Sequence, residues 1–393
     1  MNMRDQISPE FIYLNIGHFL DHMIMLIFAK AAFSIGIGFG LSNEVAFAEM
    51  ISYGIPSLVL FGGCAPVSAY LADKWNRKGM LTVFFIGIGL ASILTGFSQS
   101  IIQVGFGLAL IGIFASIYHP VGISLVIEDS VKVGWRLGVN GVWGNMGVAG
   151  APLLTGFILG IFDWRMAFII PGIFSIFVGL GFFVSVSSRS SDFSEKNKVV
   201  KELIVFATGW KRALIALSFI TTAGGFVFGA MTFLLPRLFD VRMFGITEDL
   251  AVTGSLAAVI YAAAAFAQLF VGKAIDNHKI KSILIFIAVG QILFISIMAI
   301  QKDYILFLCS LLAMGFVFGQ IPISDAILSK YVPDQWRTKI LSIKFLVNLV
   351  VGATALFMAR FFLSKGDGFE QVLIVLSIAA VLVLGGAILL PKR

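Results

Sequence analysis

Three ionisable side chains, His18, Asp21 and His22, lie close together in the first long apolar run of the sequence. At about 100° of rotation per residue, they fall on one face of an α-helix. A charge at a bilayer centre costs about 2.5–3.5 kcal/mol on insertion scales, so such groups normally face a bundle interior or a water-filled path. The pattern indicates a proton or substrate site, although a polar cluster that only holds helices together would use the same residue types.

A fourth group of the same kind, His119, lies in another apolar run, between Tyr118 and Pro120. Histidine titrates near neutral pH, and the proton affinity of a buried carboxyl group depends on its neighbours. A set of His and Asp side chains around an internal path can therefore take up protons on one side and release them on the other. The predicted proton-coupling residues are His18, Asp21, His22 and His119.

The second half of the chain carries a different set of polar residues inside its apolar runs. They are Thr221, Thr222, Gln320, Asp325, Lys344 and Asn348. Lys344 and Asn348 are one helical turn apart, and Asp325 in the preceding run is a candidate counter-ion for Lys344. This asymmetry suggests proton coupling in the first half and substrate contact in the second. The predicted substrate-binding residues are Tyr118, Thr222, Gln320, Asp325, Lys344 and Asn348.

The composition predicts an all-α integral membrane protein. Of 393 residues, 59% are hydrophobic and 12% charged, whereas soluble domains carry about 25% charged residues. The net charge of +7 comes from basic residues in short loops, which argues against nucleic-acid binding. Cys64 and Cys309 lie inside apolar runs, so neither a disulfide framework nor a cysteine metal site is expected. We expect no resident metal or organic cofactor.

Twelve apolar runs have the length of a membrane span. They cover residues 11–39, 45–72, 80–98, 101–127, 137–160, 164–187, 212–238, 249–272, 281–301, 304–328, 338–363 and 369–390. With both termini in the cytoplasm, 20 Lys and Arg residues fall on the inner side and six on the outer side, as the positive-inside rule requires. Lys30 is left inside the first span, where it could meet an anionic substrate or, as we rather expect, snorkel to an interface.

The chain repeats itself at a spacing of about 202 residues. Asp73 corresponds to Asp276, Pro120 to Pro322, and Trp135-Arg136 to Trp336-Arg337, in the same order along the chain. A stretch rich in Ser and Lys separates the two copies and reads as a linker. The predicted organisation is an N-terminal six-helix bundle (1–187), a cytoplasmic linker (188–211) and a C-terminal six-helix bundle (212–393).

The loop after span two, Ala69-Tyr70-Leu71-Ala72-Asp73-Lys74-Trp75-Asn76-Arg77-Lys78, resembles the loop motif G-x-L-A-D-R-x-G-R-K of the major facilitator superfamily. Both glycines of that motif are replaced here, whereas the second copy, Gly272-Lys273-Ala274-Ile275-Asp276, keeps its glycine and its acid. In the family this acid latches one conformation by capping a helix and pairing with basic residues. The resemblance implies a gating role for Asp73, Arg77 and Asp276.

Span five resembles the antiporter motif G-x8-G-x3-G-P-x2-G-G of the same family. The matching residues are Gly138, Gly147, Ala151-Pro152 and Thr155-Gly156. The match implies close helix packing at Gly147 and a kink at Pro152, and it favours export.

Two short patterns, His18 with Asp21 and Tyr118-His119-Pro120, are similar to patterns of the fosmidomycin-resistance group within the same family. In this family spans one and four face the central cavity, which implies that His119 lies near the His18 stripe.

These features together predict a proton-coupled secondary transporter of a small organic molecule in the cytoplasmic membrane. It would work as a monomer by alternating access, and most simply by exporting its substrate in exchange for protons. Import of an anionic metabolite or a carboxylate iron chelate is the alternative, and transport of a divalent metal ion by His18, Asp21 and His22 is a third. An intramembrane enzyme or a receptor is disfavoured, because there is no H-E-x-x-H pattern and no large loop.

Overall fold

The computed structural model describes residues 8–128, 133–187, 206–366 and 368–391, which form helices and no strand. The α-helices are α1 (Pro9–Gly38), α2 (Ala46–Gly63), α3 (Ala65–Lys74), α4 (Arg77–Gly96), α5 (Ile101–Ala115), α6 (Ile123–Ile127), α7 (Val133–Ile161), α8 (Trp164–Ser187), α9 (Trp210–Arg242), α10 (Leu250–Asn277), α11 (Ile280–Met298), α12 (Asp303–Tyr331), α13 (Asp334–Leu363) and α14 (Phe369–Leu389). A π-helical segment, Tyr118–Gly122, lies between α5 and α6. Twelve spans in these ranges are long and apolar enough to cross a membrane, which confirms the predicted fold class.

The predicted spans agree with the structure except where proline interrupts a helix. Span two divides at Cys64 into α2 and α3, because Pro66, the second residue of α3, has no N–H to continue the α2 hydrogen bonds. Span four changes to a π-helical turn around Pro120 for the same reason. Such π-helical turns occur frequently at functional sites, and this one carries His119.

Helix packing in the second half repeats that in the first. The contact of α1 with α7 corresponds to that of α9 with α13, α4 with α8 to α11 with α14, and α2 with α5 to α10 with α12. Each half therefore pairs equivalent helices. The linker predicted at 188–211 falls mostly on residues 188–205, outside the described residues, so the domain boundaries stay a prediction.

The two halves meet through three helix pairs, α7 with α10, α2 with α13 and α1 with α9. The ion pairs Lys30–Asp240 and Arg360–Glu49 join the halves near the loops that follow α1, α9 and α13. We call this side the loop face. The opposite side, where α1 begins and α14 ends, is called the terminal face. Buried apolar side chains of both halves form one cluster, whereas the terminal end of the second half has a separate cluster. Among the described residues, the halves are thus joined most firmly toward the loop face.

Glycines allow α7 to approach its neighbours closely. A Cβ atom on Gly147 would overlap the backbone carbonyl of Phe19 in α1. On the loop-face half of α7, a Cβ atom on Gly156 would lie 2.5 Å from the carbonyl oxygen of Leu250 in α10. A Cβ atom on Gly254 would likewise overlap the carbonyl of Pro152. The small residues that resemble the antiporter motif therefore bring α7 against α1 and, across the halves, against α10.

Because backbone atoms cannot move aside as side chains can, Gly147→Ala should destabilise the protein by about 1–3 kcal/mol through overpacking. Gly138→Ala is the matched control in the same helix, since Gly138 is exposed and has nothing within 4 Å of its added Cβ. That change should be neutral or stabilising, because alanine favours the helix by about 0.5–1 kcal/mol. Thermal melting in detergent measures both, and equal melting temperatures would contradict the packing argument.

Candidate functional site

The three intramembrane histidines and Asp21 form one cluster at the junction of α1 and the π-helical segment. The ring centroids of His18 and His22 lie 5.0 Å apart, and the His119 ring lies 5.3 Å from each of them. His119 Nδ1 is 3.4 Å from a carboxylate oxygen of Asp21, whose side chain is 0% exposed. Both oxygens of Asp21 lack a hydrogen-bond partner. The sequence prediction that His119 meets the His18 stripe is confirmed as geometry, whereas its role in proton coupling stays a prediction.

A buried hydrogen-bond network holds the His18 ring in place. His18 Nδ1 lies 2.8 Å from the carbonyl oxygen of Asn140 and 2.9 Å from its side-chain oxygen. Both are acceptors, so Nδ1 carries a hydrogen and, in the neutral ring, Nε2 keeps a lone pair. Asn140 in turn donates to the Tyr118 hydroxyl at 2.9 Å and to the Asn15 side chain at 3.0 Å. The Tyr118 hydroxyl donates to the Leu14 carbonyl at 2.6 Å.

Sequence reasoning missed Asn140 and Asn15, which organise this network. Asn15 lies three residues before His18 and so on the same helix face, which was an available signal. Asn140 comes from α7 and is 2% exposed, but its sequence neighbours gave no sign that it faces α1. Tyr118 is also fully buried and stacks on His18 at 4.9 Å. Its position supports the histidine rather than a substrate, contrary to the predicted substrate contact.

The histidine cluster offers nitrogen atoms to a possible metal ion. One ligand atom each from His18, His22 and His119 lies within 4.8 Å of the others. In a tetrahedral site with metal–nitrogen bonds of about 2.0 Å, ligand atoms lie about 3.3 Å apart. The three atoms lie no more than 4.8 Å apart, and His18 Nδ1 and His119 Nδ1 face protein groups. A metal ion could therefore use these two nitrogens only by displacing the protein groups that they face.

A cavity of about 250 Å³ lies between the halves, next to the histidine cluster. Its first-half wall includes His22, Met25, Leu26, Leu58, Phe61 and Val148. Its second-half wall includes Thr221, Gly224, Phe228, Thr232, Phe233, Gln320, Ser324, Lys344 and Asn348. Phe345 also lines it and contacts the His119 ring at 5.0 Å. Most of the lining is apolar, so the cavity suits a molecule with a large apolar part and few polar groups.

Three of the predicted substrate residues, Gln320, Lys344 and Asn348, line the cavity. Thr222 does not: it is exposed, and its neighbour Thr221 lines the cavity instead, because adjacent residues of a helix point about 100° apart. Asp325 is outside the lining too, but it pairs with Lys344 as expected. The predicted spans therefore line the cavity, but the face of α9 that lines it carries Thr221 rather than the predicted Thr222.

Lys30 does not snorkel to an interface. Its side chain is buried and donates to the carboxylate of Asp240 in α9 and to the hydroxyl of Thr253 in α10, the latter at 2.7 Å. The Asp240 side chain is 5% exposed. Arg237, one turn earlier in α9, stacks on Phe33 of α1 at 3.6 Å. The expectation for Lys30 was wrong because its counter-charge lies 210 residues away and only folding brings the two together.

The predicted gating residues lie at two places. Asp73, near the end of α3, and Arg77, at the start of α4, form an exposed pair at 3.2 Å. Asp276 is exposed at the equivalent position of the second half. Gly147 and Pro152 lie at the close contacts of α7 described above. The structure thus places two of the five at close helix contacts and three on the exposed surface, and the gating role of all five stays a prediction.

Comparisons with known proteins give a consistent result. The chain is 27% identical over 261 residues to "Multidrug resistance protein MdtG" of Proteus mirabilis, which covers 65% of this chain and 63% of that protein. The chain therefore matches less than two thirds of that relative's length. It is 27% identical over 356 residues to "Multi-drug resistance efflux pump PmrA" of Streptococcus pneumoniae, covering 82% of this chain and 81% of that protein.

Solved structures give the same fold. A bacterial homolog of the human lysosomal transporter Spinster, solved in an inward-facing and unoccupied conformation, superposes with a TM-score of 0.78. It is 16% identical and covers 98% of both chains. The family model described as "Major Facilitator Superfamily" matches residues 14–356. The chain is therefore a multi-pass protein of the cytoplasmic membrane, and it belongs to the Major Facilitator Superfamily.

Proposed function

We propose that this transporter exports a small, largely apolar organic molecule in exchange for protons, by alternating access. The observation that carries the proposal is Asp21, whose carboxyl group is fully buried, has no hydrogen bond and faces His119 at 3.4 Å. A buried carboxylate without a partner costs several kcal/mol. A single proton placed on His119 or on Asp21 removes that cost, either by completing an ion pair or by neutralising the acid.

The cluster is placed to exchange that proton in response to substrate. His22 lines the cavity and contacts the His119 ring, which is partly exposed, whereas Asp21 lies behind them. A proton can pass between the cavity and Asp21 through the two imidazoles, since an imidazole can accept a proton on one ring nitrogen and release one from the other. Substrate in the cavity would contact His22 and alter its hydration. Proton binding and substrate binding are thereby linked through one side chain.

The apolar lining and the relatives favour an organic substrate. The relatives from Proteus mirabilis and Streptococcus pneumoniae are both named as multidrug proteins, and a largely apolar cavity fits the chemistry of lipophilic drugs. Import of an anion, the alternative, would need an unpaired cation facing the cavity. Lys344 is the candidate, but its ammonium already pairs with Asp325. The geometry therefore supports export of lipophilic molecules more than uptake of an anion.

Alternating access requires contacts that break on one face while the other opens. Lys30 belongs to the first half, and its partners Asp240 and Thr253 belong to the second. Separation of the halves at the loop face must therefore break this buried pair. With the termini in the cytoplasm, as the basic loops predict, this pair holds the described conformation closed toward the outside.

Proton exchange can be tested in proteoliposomes with radiolabelled chloramphenicol, an uncharged drug that a pH gradient does not redistribute by itself. Vesicles with an acidic interior should accumulate the drug against its gradient, whereas vesicles with an alkaline interior should not. Asp21→Asn keeps the size of the side chain but cannot exchange a proton at this site. We expect it to reduce gradient-driven accumulation at least tenfold, and His119→Gln to do the same.

Exchange of labelled for unlabelled drug without a pH gradient should continue in Asp21→Asn, because it needs no net proton movement. Glu128→Gln is the matched control, since Glu128 is an exposed carboxylate at the end of span four. Accumulation driven by an alkaline interior would establish import by symport instead. Full gradient-driven activity in Asp21→Asn would remove this carboxyl group from the mechanism.

The cross-half ion pair gives a prediction about conformation. Lys30→Met leaves Asp240 buried without its counter-ion, and removing one partner of a buried pair costs about 3–5 kcal/mol. We expect the loop face to open in this variant. Spin labels on Asn43 and Glu248, which are exposed on that face, should show a longer distance by double electron–electron resonance in lipid nanodiscs, with Cys64 and Cys309 replaced by serine.

The double variant Lys30→Met/Asp240→Leu should restore the closed distance, because an apolar pair carries no unpaired charge. Glu49→Gln is the control, since the Glu49–Arg360 pair also joins the halves but is about two-fifths exposed. Exposed pairs contribute about 0–1 kcal/mol, so this change should leave the distance as in the wild type. An unchanged distance in Lys30→Met would show that the buried pair does not hold the face closed.

A further inference from the structure

The cavity lies beside positions of the second half that are equivalent to the histidine positions of the first half but carry no imidazole. At the repeat spacing of about 202 residues, His18, Asp21 and His22 of α1 correspond to Ile220, Ala223 and Gly224 of α9. α9 packs on α13 as α1 packs on α7. Ile220 and Gly224 line the cavity. Thus the same place in the repeated architecture holds proton-exchanging groups in one half and open volume in the other.

The second-half wall of this volume carries hydrogen-bonding groups that the protein leaves partly unused. Thr221 is 6% exposed and its hydroxyl has no hydrogen-bond partner. Gln320 donates to the Ile220 carbonyl at 3.0 Å and accepts from Gln291 at 2.8 Å. One N–H and one lone pair of the Gln320 amide remain free for a further partner.

Glycine keeps these amides accessible. A Cβ atom on Gly224 would overlap the amide nitrogen of Gln320, and one on Gly225 would lie 2.7 Å from the side-chain oxygen of Asn348. Gln320 and Asn348 both line the cavity. A buried hydroxyl without a partner costs about 1–3 kcal/mol, so a ligand that bonds to Thr221 recovers this energy. The wall therefore favours a ligand with a hydrogen-bonding group at this end.

The charge at this end is balanced. Lys344 is the cation of the lining, and its ammonium pairs with the carboxylate of Asp325. An anionic ligand would have to displace Asp325 from Lys344, and a cationic ligand would meet the Lys344 charge. An uncharged polar group avoids both costs. On the opposite, first-half wall, Met25, Leu26 and Leu58 offer only apolar contact.

We propose that the cavity binds neutral amphipathic molecules in one orientation, which extends the proposed function by naming the class of its substrate. The uncharged hydrogen-bonding head contacts Thr221, Gln320 and Asn348 on α9, α12 and α13. The apolar body lies against the first-half wall of Met25 and Leu26. The substrate thus takes the place in the second half that the histidine cluster takes in the first.

Three ligands with one apolar body and different heads test the proposal: 4-phenylbutyramide, 4-phenylbutyrate and 4-phenylbutylammonium. Binding is measured by calorimetry at pH 7.5 on the full-length protein in lipid nanodiscs, with empty nanodiscs subtracted. The amide should bind at least fivefold tighter than either charged ligand. Tighter binding of the carboxylate or the ammonium ion, or binding of none of the three, would overturn the proposal.

Adjacent threonines provide a matched pair of variants. Thr221→Val removes the unpartnered hydroxyl at constant shape and should weaken amide binding about fivefold, as expected for the loss of one neutral hydrogen bond. Thr222→Val changes an exposed residue of the same helix and should leave binding unchanged. Equal effects of the two substitutions would overturn the orientation.

Asp325→Asn tests the charge balance independently of the hydroxyl. Without its carboxylate, Lys344 should attract the anionic head, so 4-phenylbutyrate should bind about tenfold tighter and the amide should no longer be preferred. An unchanged order of affinities would overturn the argument from charge. All these measurements are made without a pH gradient, so they can fail while gradient-driven export is observed, and proton exchange can fail while the binding order holds.

Discussion

The energetic cost of burying charge in a low-dielectric interior determines how the helices of this membrane protein meet. Two acids, Asp21 and Asp240, are almost fully buried, and each faces a base contributed by a different helix. Because a buried charge without a partner costs several kcal/mol, each acid favours a particular helix contact. Asp21 binds α1 to the π-helical segment through His119, within one half. Asp240 binds the second half to α1 through Lys30, so this contact depends on the relative position of the halves.

Close helix packing makes the first of these arrangements possible. A Cβ atom on Gly144 would lie 2.6 Å from the His18 ring, so glycine at this position gives the imidazole its space. Asn140, one turn earlier in α7, then reaches both His18 and Tyr118. The network fixes one imidazole firmly, whereas His22 and His119 stay partly accessible from the cavity side. A fixed ring beside two accessible rings suits a site that must exchange protons without losing its geometry.

The two halves share an architecture and differ in chemistry. Equivalent helix pairs pack in each half, so the repeat preserves the scaffold that positions the site. Histidines fill the interior of the first half, whereas Gly224, Gly225 and Gly229 of α9 leave room in the second. The proposed proton-exchange site and the proposed substrate site therefore lie next to each other in one molecule. His22 is the side chain that borders both.

Hydropathy located the twelve spans to within a few residues, because a bilayer requires apolar helices of defined length. Helical periodicity placed His18, Asp21 and His22 on one face, since that depends only on local geometry. Two other features came only from the folded molecule: the partner of Lys30 lies 210 residues away, and the rotation of α9 turns Thr221 rather than Thr222 toward the cavity. The sequence determines which polar and charged groups are too costly to expose to lipid. Tertiary packing decides which partners those groups meet, because both the partners and the rotation of each helix depend on contacts between distant segments.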